Sequence, residues 1–466
     1  MTVTPVALRS LRFALAAVEQ DPASAAAWYA AGRARLAVGQ TAEGVQALQK
    51  AVSLAPSHAP AWRELGVALA SLGWMSEPIR CFRSAVQAAP NDADAWTLLA
   101  QALLTAGDLA GAEAPARTAL DKRPHHPDAV ATLARIELRR GALDAAAALL
   151  APHVPTVPIA LVAAELAVAR CAPGAAVPAL RAAIAESTGL DRVRLLHALG
   201  DVFDAAGAHD DAFAAYRDAN DARTAPVDAA AILADANARI VEPPGTLAGP
   251  PLRRMVWIVG LPRAGTGLVE RLLAAHPRVG IGRERSPLPE LEAALHRGTP
   301  LTQLAQSLRR SVEQVDPSKS HVIDRLPDNA RRLGLAAQVA PGCTVIHVTR
   351  DPLDTLWACY RQCYSDALAW TTRLDGLAAT WRAHDRLMTH WRESLPQMGA
   401  AWIEVKYESL VARPDHELRR LLLALNLPLD PACFAPAGLH RKSIGRAAPY
   451  RAHLAPVTQA IGGAPG

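Results

Sequence analysis

The feature that most constrains the fold of this chain is a set of residues that recurs every 34 positions in its first half. The set comprises tryptophans, glycines, prolines and alanines that all keep one register: Trp28, Trp62, Trp96; Gly39, Gly73, Gly107, Gly141; Pro22, Pro56, Pro90, Pro124; Ala17, Ala51, Ala85, Ala119. A fixed step shared by four kinds of position indicates stacked copies of one structural unit. The first half is therefore expected to be a repeat array, in which each unit contacts its neighbours, rather than one globular core.

Each 34-residue unit is expected to be a pair of antiparallel helices. The tryptophan lies on the first helix and the glycine ends it, while the small alanine lets the second helix pack closely before the proline ends it. Residues 5–22 form the second helix of a truncated first unit, and a later copy is visible at 196–219. The Pro- and Gly-rich stretch 243–251 is predicted to be a linker. We expect domains at 1–222 and 253–466, joined by 223–252.

The array resembles tetratricopeptide repeats. That resemblance implies a curved helical superhelix whose concave face binds a protein or peptide. The recurring tryptophans, glycines and alanines are themselves expected to be packing residues, so binding falls to positions that one sequence does not reveal.

Composition narrows the class of partner. The net charge of +5 suits an anionic small ligand as well as nucleic acid and does not separate the two. The aromatic content of 5% argues against a base-stacking surface, and we expect no nucleic acid partner. No uninterrupted apolar run reaches the length of a membrane span. The six cysteines show no CxxC pair or zinc-type spacing. Free thiols favour a reducing compartment, and we expect a cytoplasmic protein.

After residue 253 the periodicity changes from helical to alternating β and α. Apolar runs at 255–259, 343–349 and 401–406 predict buried strands, with helical stretches between them. The tryptophans of this half, at 357, 370, 381, 391 and 402, are expected in its core. The pattern predicts an open, mostly parallel sheet with its ligand at the carboxyl ends of the strands.

A glycine-rich loop, residues 260–267 (GLPRAGTG), follows the first predicted strand and precedes a helix. Backbone N–H groups at such a helix N-terminus bind anions. Gly260 and Gly265 have the outer spacing of a nucleotide phosphate loop, but Thr266-Gly267 stands where Lys-Ser/Thr is usual. The missing Lys and metal-binding hydroxyl disfavour NTP hydrolysis, and Arg263 is the remaining strong cation. We expect a site for a phosphate-like group, without a metal.

Four ordered motifs of the second half resemble those of sulfotransferases. They are the loop with its following His-Pro and Glu284, then residues 324–329, 348–354 and 406–411. With the repeats included, the whole chain resembles bacterial proteins in which tetratricopeptide repeats precede a P-loop-type α/β sulfotransferase domain. Those bacterial proteins are related to tyrosylprotein sulfotransferases. The resemblance implies transfer of a sulfuryl group from 3′-phosphoadenosine-5′-phosphosulfate to a hydroxyl or amine.

The resemblance also implies a role for each matching residue. Glu284 falls on the general base, and Arg325 stands where the family usually has a Lys that stabilises charge on the transferred group. Arg263 belongs both to catalysis and to donor binding. The positions implied in donor binding are Arg263, Ala264, Gly265, Thr266, Gly267, Arg350, Tyr407 and Arg446. Among them, Arg350 falls on the 3′-phosphate ligand, Tyr407 near the adenine pocket and Arg446 in the closing segment.

Physical chemistry supports these roles but leaves alternatives open. Fixed cations and N–H groups stabilise the spread negative charge of a sulfuryl-transfer transition state, by analogy with phosphoryl transfer, and a carboxylate can take the acceptor proton. Against this, Arg350 could cap its own turn through Asp351 or Asp354. Arg325 could pair with Asp324 or Asp328, and Glu284 with its neighbours Arg283 and Arg285.

The sequence also departs from the family pattern. Ala264 and Gly267 replace hydroxyl residues of the loop, Ala358 replaces a Ser, and the closing segment is shortened and has Ala447 in place of Trp. Two alternatives to a working sulfotransferase therefore stay open. One is a catalytically impaired sulfotransferase-fold domain in a repeat-based adaptor, and the other is a P-loop kinase or related nucleotide enzyme.

Overall fold

Two compact units make up the chain, 1–215 and 216–466. The computed structural model describes residues 5–223, 225–241, 247–282, 286–316, 318–434 and 443–462. No helix within those ranges is long and apolar enough to cross a membrane.

The first unit is built from consecutive helices. They are α1 (Pro5–Gln20), α2 (Ala25–Ala37), α3 (Thr41–Leu54), α4 (Ala59–Ser71), α5 (Ser76–Ala88), α6 (Ala93–Thr105), α7 (Leu109–Lys122), α8 (Pro127–Arg139), α9 (Leu143–Leu150), α10 (Val157–Ala169), α11 (Val177–Glu186) and α12 (Gly189–Ala205). The next helix, α13 (His209–Asp221), begins in this unit. The helices pack pairwise, α2 on α3, α4 on α5 and α6 on α7, as the 34-residue register predicts.

One hydrogen bond recurs in successive units and explains why two residue classes share a register. The indole Nε1 of Trp28, Trp62 and Trp96 donates to the carbonyl of Pro22, Pro56 and Pro90 in turn, at 2.8, 2.9 and 2.9 Å. The glycines that end the first helices all have positive φ, between 81° and 87°, the left-handed conformation in which a side chain is strained. The second helices approach through alanines that are fully buried in three of the four copies, while Ala17 is half-buried.

The second unit is a five-stranded parallel sheet in the order β2-β3-β1-β4-β5. Its strands are β1 (Met255–Val259), β2 (Val279–Ile281), β3 (His321–Asp324), β4 (Thr344–Thr349) and β5 (Ala401–Lys406). The three predicted strands are confirmed, as is the parallel sheet. Strands β2 and β3 are absent from the prediction because three or four residues are too few to show a period.

Helices cover both faces of this sheet. They are α14 (Ala229–Val241), α15 (Thr266–Ala274), α16 (Leu288–His296), α17 (Leu301–Glu313), α18 (Leu333–Val339), α19 (Pro352–Tyr360), α20 (Leu374–Gln397), α21 (Tyr407–Ala412), α22 (Pro414–Ala424) and α23 (Ala455–Ala460). Alternate residues of β1 serve the two cores: Met255 and Trp257 pack with α18 and α20, while Val256 and Ile258 pack with α15 and α22.

Helix α14 lies inside the stretch 223–252 for which the sequence suggests a linker. It packs along α20, and its Ile232, Leu233 and Ala236 join the core on one side of the sheet. The apolar face of α14 thus gives it a place in the second compact unit, whose first residue, Tyr216, also precedes the expected boundary at 222.

Candidate functional site

Several of the predicted site residues come directly after a strand. Arg325 follows β3, Gly260 follows β1, Arg350 follows β4 and Tyr407 follows β5. These four strands are consecutive neighbours in the sheet and all run the same way. Their carboxyl ends therefore bring the four segments together at one edge, beside β1, where the strand order reverses and where sheets of this kind bind ligands.

The loop after β1 is shaped by two glycines. A Cβ at Gly260 would lie 2.6 Å from the carbonyl oxygen of Val348, so the loop runs directly against β4. Gly265 has a φ of 109°, and a Cβ there would lie 2.4 Å from the ring of Tyr407. Ala264 is buried, and its N–H donates to the carbonyl of Leu261 at 3.0 Å. Thr266 and Gly267 then open α15, whose first N–H groups lack partners within the helix.

Arg263 occupies the exposed crest of this loop in an unusual backbone conformation. Its φ is 71°, a left-handed value that costs a non-glycine residue about 1–3 kcal/mol unless the surroundings enforce it. Its carbonyl oxygen accepts a 2.9 Å hydrogen bond from Nη1 of Arg350. Strained backbone of this kind is concentrated at ligand-binding sites, which agrees with the role that the sequence predicts for Arg263.

The guanidinium of Arg350 joins three segments of the chain. Besides the Arg263 carbonyl it donates through Nη2 to the carbonyl of Ser443 and lies 4.9 Å from the ring centroid of Tyr407. The side chain is 6% exposed, and its Nε finds no hydrogen-bond partner in the described ranges. The alternative that Arg350 pairs within its own turn is also present, since its Nη2 lies 3.9 Å from the buried carboxylate of Asp354. Asp351 caps the following helix, because its carboxylate accepts from the Asp354 N–H at 2.8 Å.

The closing segment after residue 442 is short but firmly attached. The buried carboxylate of Asp354 accepts the N–H groups of Gly445 and Ala447 at 2.6 and 2.8 Å. Ser443 Oγ lies 2.6 Å from the hydroxyl of Tyr407. Between these attachments the side chain of Arg446 is exposed. The described part of this segment is therefore attached to the loop and its neighbours.

A stacked pair of aromatic rings holds the residues that follow the closing segment. The ring of Tyr450 lies 3.8 Å from that of Trp357, centroid to centroid, with 29° between the planes. Both rings are fully buried. Since Trp357 belongs to α19, the same helix that carries Asp354, one element anchors this stretch at two points.

Arg325 has a different partner from either that the sequence suggested. Its Nε donates to Glu270 of α15 at 2.7 Å, with a side chain 36% exposed, whereas Asp328 is paired with Arg331 and Arg332. A Cβ built on Gly267 would lie 3.9 Å from the Arg325 guanidinium carbon. The ion pair therefore holds this cation beside the first turn of α15.

Asp324 is buried behind this pair. Asn329 donates to its carboxylate at 2.7 Å, and Ser286 donates to the Asn329 amide oxygen at 2.9 Å. Burial nevertheless raises the pKa of Asp324 to about 6, with the nearby Glu270 contributing in the same direction. The carboxylate sits at the end of β3 as a structural neighbour of Arg325 rather than as its ion-pair partner.

Glu284, the predicted general base, lies outside the described residues, as do Arg283 and Arg285. Across the part of the chain that is described, no group of three or more His, Cys, Asp or Glu side chains could hold a metal ion.

The structure adds residues that sequence reasoning missed. Glu270, which holds Arg325, was not predicted. Asp354 was suggested only as a partner of Arg350, and its bonds to the closing segment were not predicted. Trp370, expected in the core, is half-buried and lines a cavity beside the loop. Thr380 and His384 also line it, and their i,i+4 spacing on one helix face was the available signal.

Comparison with known families agrees with this division of the chain. Residues 256–431 match the sulfotransferase family. Residues 25–68 and 103–164 match tetratricopeptide repeat families.

Individual similar proteins are distant. An uncharacterized protein of Aquifex aeolicus is 24% identical over 253 residues, which cover 46% of this chain and 33% of that protein, so the match spans a third of the relative's length. Among solved structures, a tetratricopeptide repeat protein of Parabacteroides merdae is 15% identical, covering 47% of this chain and 87% of its own, with a TM-score of 0.41. MamA of Desulfovibrio magneticus is 22% identical, covering 32% and 84%, with a TM-score of 0.30.

The family matches agree with the structure of each unit. The first unit has the repeated Trp–Pro hydrogen bonds, and the second has arginines at the ends of its strands. The chain has the architecture of tetratricopeptide repeats followed by a sulfotransferase-family domain.

Proposed function

We propose that the second unit is a working sulfotransferase that uses 3′-phosphoadenosine-5′-phosphosulfate and sulfates a hydroxyl or amine. The observation that carries the proposal is the Arg350 guanidinium, which is almost fully buried where the loop, the end of β5 and the closing segment meet. The buried Asp354 carboxylate lies 3.9 Å from this guanidinium, but the Nε–H has no hydrogen-bond partner in the described residues. A buried arginine that retains such an N–H is suited to an anionic ligand, which would accept it directly.

The loop fits the sulfated end of this donor. Its glycines permit close backbone approach, and the opening N–H groups of α15 are available to an anion. The Arg325 guanidinium lies beside Gly267, and the loop itself carries the exposed Arg263. We assign Arg263, Ala264, Gly265, Thr266 and Gly267 to the 5′-phosphosulfate. Arg350 is assigned to the 3′-phosphate, and Tyr407 and Arg446 to the nucleoside side.

In the proposed reaction the acceptor oxygen forms a bond to sulfur while the bond from sulfur to the 5′-phosphate oxygen breaks. The electron pair of the broken bond leaves with 3′-phosphoadenosine-5′-phosphate, and the acceptor proton passes to Glu284. Arg263 and Arg325 stabilise the charge that develops on the transferred oxygens, a role that needs fixed cations rather than a metal. Glu270 is a positioning residue, because its ion pair holds Arg325.

The main competing function is an impaired domain in a protein-binding adaptor. Loss of hydroxyls at positions 264, 267 and 358 favours it, since each lost bond to a charged group is worth about 1.5–3 kcal/mol. The attached closing segment opposes it, because an abandoned site has no need of a buried Asp354 bound to two backbone N–H groups.

The repeats and the location of the protein complete the proposal. We propose that the repeats bind a protein or peptide partner. We also propose a cytoplasmic location, which agrees with the absence of a disulfide among the six cysteines, all of which lie in the described residues.

The deciding experiment is calorimetric titration with 3′-phosphoadenosine-5′-phosphate in the absence of metal, with ATP and Mg²⁺ as the comparison. We expect micromolar binding of the first ligand, lost by more than about 100-fold in Arg350→Ala, since a desolvated charge pair is worth several kcal/mol. Arg310→Ala is the matched control, because Arg310 is an exposed arginine on α17. Binding of neither nucleotide favours the adaptor, and preference for ATP with Mg²⁺ favours a kinase.

A further inference from the structure

A cavity of about 390 Å³ opens beside the loop that follows β1. Gly260, Leu261 and Pro262 form one of its walls, so whatever occupies it touches the same loop to which we assign the sulfated end of the donor. This volume lies in the range of pockets that bind small molecules. It is therefore large enough for a compact organic ligand next to the proposed transfer site.

The remaining walls are mostly apolar. Ile232 of α14, Leu368 and Trp370 of the turn before α20, and Ala383 and Leu387 of α20 all line the cavity. Side chains of this kind favour a ligand with an apolar or aromatic body, since burial of apolar surface drives binding and an aromatic ring adds stacking. A strongly charged ligand would lose its hydration here without compensation.

Two polar groups face this apolar space from one side of α20. Thr380 Oγ1 is buried and has no hydrogen-bond partner within the described ranges, an arrangement that is uncommon unless a ligand or water completes it. His384 lies one turn away, with its Nε2 3.3 Å from Nε2 of His347. Burial lowers the pKa of His384, with His347 a smaller cause, so the ring is uncharged at neutral pH and can exchange a hydrogen bond with a hydroxyl.

The charged residues that line the cavity already have partners. Arg331 donates to Asp235 and to Asp328, and Asp235 also binds Arg239. An acidic peptide would have to break these pairs to find a cation here, which removes the attraction that would select it.

We infer that this cavity is the acceptor site and that the acceptor is a small, mainly apolar alcohol or phenol rather than a peptide. The inference rests on the proposed sulfotransferase function. Thr380 and His384 orient the acceptor hydroxyl, and the apolar walls hold its body against the loop. The partner of the repeats is then a protein other than the acceptor.

The test uses the full chain with two probes, 2-naphthol and an acidic tyrosine-containing peptide. Binding of each is measured by calorimetry with 3′-phosphoadenosine-5′-phosphate present, and sulfation with 3′-phosphoadenosine-5′-phosphosulfate. We expect 2-naphthol to bind and to be sulfated, at a kcat/KM at least about tenfold above that of the peptide, because the pocket has no available charge complement for the peptide.

Two variants locate the binding. Ala383→Trp fills the cavity and is expected to weaken 2-naphthol binding by more than about tenfold, since a well-packed site tolerates little added volume. Thr380→Val keeps the shape, removes the hydroxyl and is expected to weaken binding by about fivefold, the value of one hydrogen bond. Both should leave the affinity for 3′-phosphoadenosine-5′-phosphate within about twofold. Ala424→Trp, at an exposed position that ends α22, is the control for added bulk.

The outcomes separate this inference from the proposed function. Sulfation of the peptide but not of 2-naphthol overturns the inference and leaves the sulfotransferase proposal standing. If 3′-phosphoadenosine-5′-phosphate binds but neither probe binds or is sulfated, the inference is also overturned and the sulfotransferase proposal still stands. If Thr380→Val and Ala383→Trp both bind 2-naphthol like the unmodified chain, the cavity is not its site. Failure to bind 3′-phosphoadenosine-5′-phosphate at all overturns both proposals.

Discussion

The repeat unit and the sheet unit use hydrogen bonds over very different stretches of chain. In the repeats, Trp62 bonds to a carbonyl six positions away, and the same bond recurs in neighbouring copies. At the loop of the sheet unit, Arg350 bonds to a carbonyl 87 positions away, and Gly445 to a carboxylate 91 positions away. The repeats therefore depend on many similar local contacts, whereas the site depends on a few contacts between distant segments.

This difference implies different responses to damage. Loss of one repeat contact should loosen its own helix pair and leave the others in place, because each unit contacts only its neighbours. Loss of one contact at the loop should disturb several segments together, because Arg263, Arg350, Tyr407 and Ser443 form one connected group. Four substitutions test this contrast.

The largest effect is expected from Gly265→Ala. An alanine there must adopt a φ of 109° and place its Cβ 2.4 Å from the Tyr407 ring, which together should reduce stability by about 4 kcal/mol. Binding of 3′-phosphoadenosine-5′-phosphate should be lost as well. Gly399→Ala is the matched control, since its φ is 79° but nothing lies within 4 Å, so only backbone strain of about 1–2 kcal/mol is expected. Equal thermal destabilisation by the two changes would contradict the close approach of Tyr407.

Asp354→Ala should lower the local free energy of unfolding of the closing segment by about 3 kcal/mol, because two backbone N–H groups lose a buried charged acceptor. Limited proteolysis should then cut between residues 443 and 450 much faster than in the unmodified chain, and nucleotide affinity should fall. Asp375→Ala serves as the control, because its carboxylate pairs with Arg373 at an exposed position. Unchanged proteolysis of the closing segment would show that other contacts suffice to hold it.

Asp324→Asn should alter how stability depends on pH. Burial raises the pKa of Asp324 from its ordinary 3.8 to about 6, so the folded chain favours the protonated acid. Protonation of Asp324 makes its full contribution to the free energy of unfolding below about pH 4, and this contribution is lost as the pH rises through 6. The asparagine variant, which has nothing to ionise, should therefore gain about 2 kcal/mol relative to the unmodified chain between pH 4.5 and 7.5. Parallel melting curves at all pH values would refute the shifted pKa.

Trp62→Phe should have the smallest effect. It removes the hydrogen bond to the Pro56 carbonyl and keeps an aromatic ring, so the free energy of unfolding should fall by about 1 kcal/mol. Hydrogen exchange should increase in α3, α4 and α5 and stay unchanged in β1 and β4. Faster exchange throughout the repeats would mean that the units are more strongly coupled than their short-range bonds indicate.

The same contrast explains how much the sequence could reveal. The register of Trp28, Trp62 and Trp96 predicts helix pairs because the contacts that stabilise them lie within one period. In the sheet unit the motifs around Arg263 and Arg350 predict a shared site at the strand ends, which the parallel order brings together. The Arg325–Glu270 pair and the cavity beside Leu261 could not be predicted, because they depend on how distant helices pack.

The attachment of the closing segment has a consequence for how this stretch can change during evolution. Within the closing segment, the Asp354 carboxylate accepts the main-chain amides of Gly445 and Ala447, so these two bonds do not involve the side chains at those positions. Gly445 has a φ of 76° and Ala447 is buried, so backbone strain and packing, rather than loss of the Asp354 bonds, limit which side chains these two positions can carry. Proline would also remove the bond to Asp354, since it has no amide hydrogen to donate. The attachment of this stretch therefore depends on its backbone amides, and its side chains can change only where φ and the available space allow.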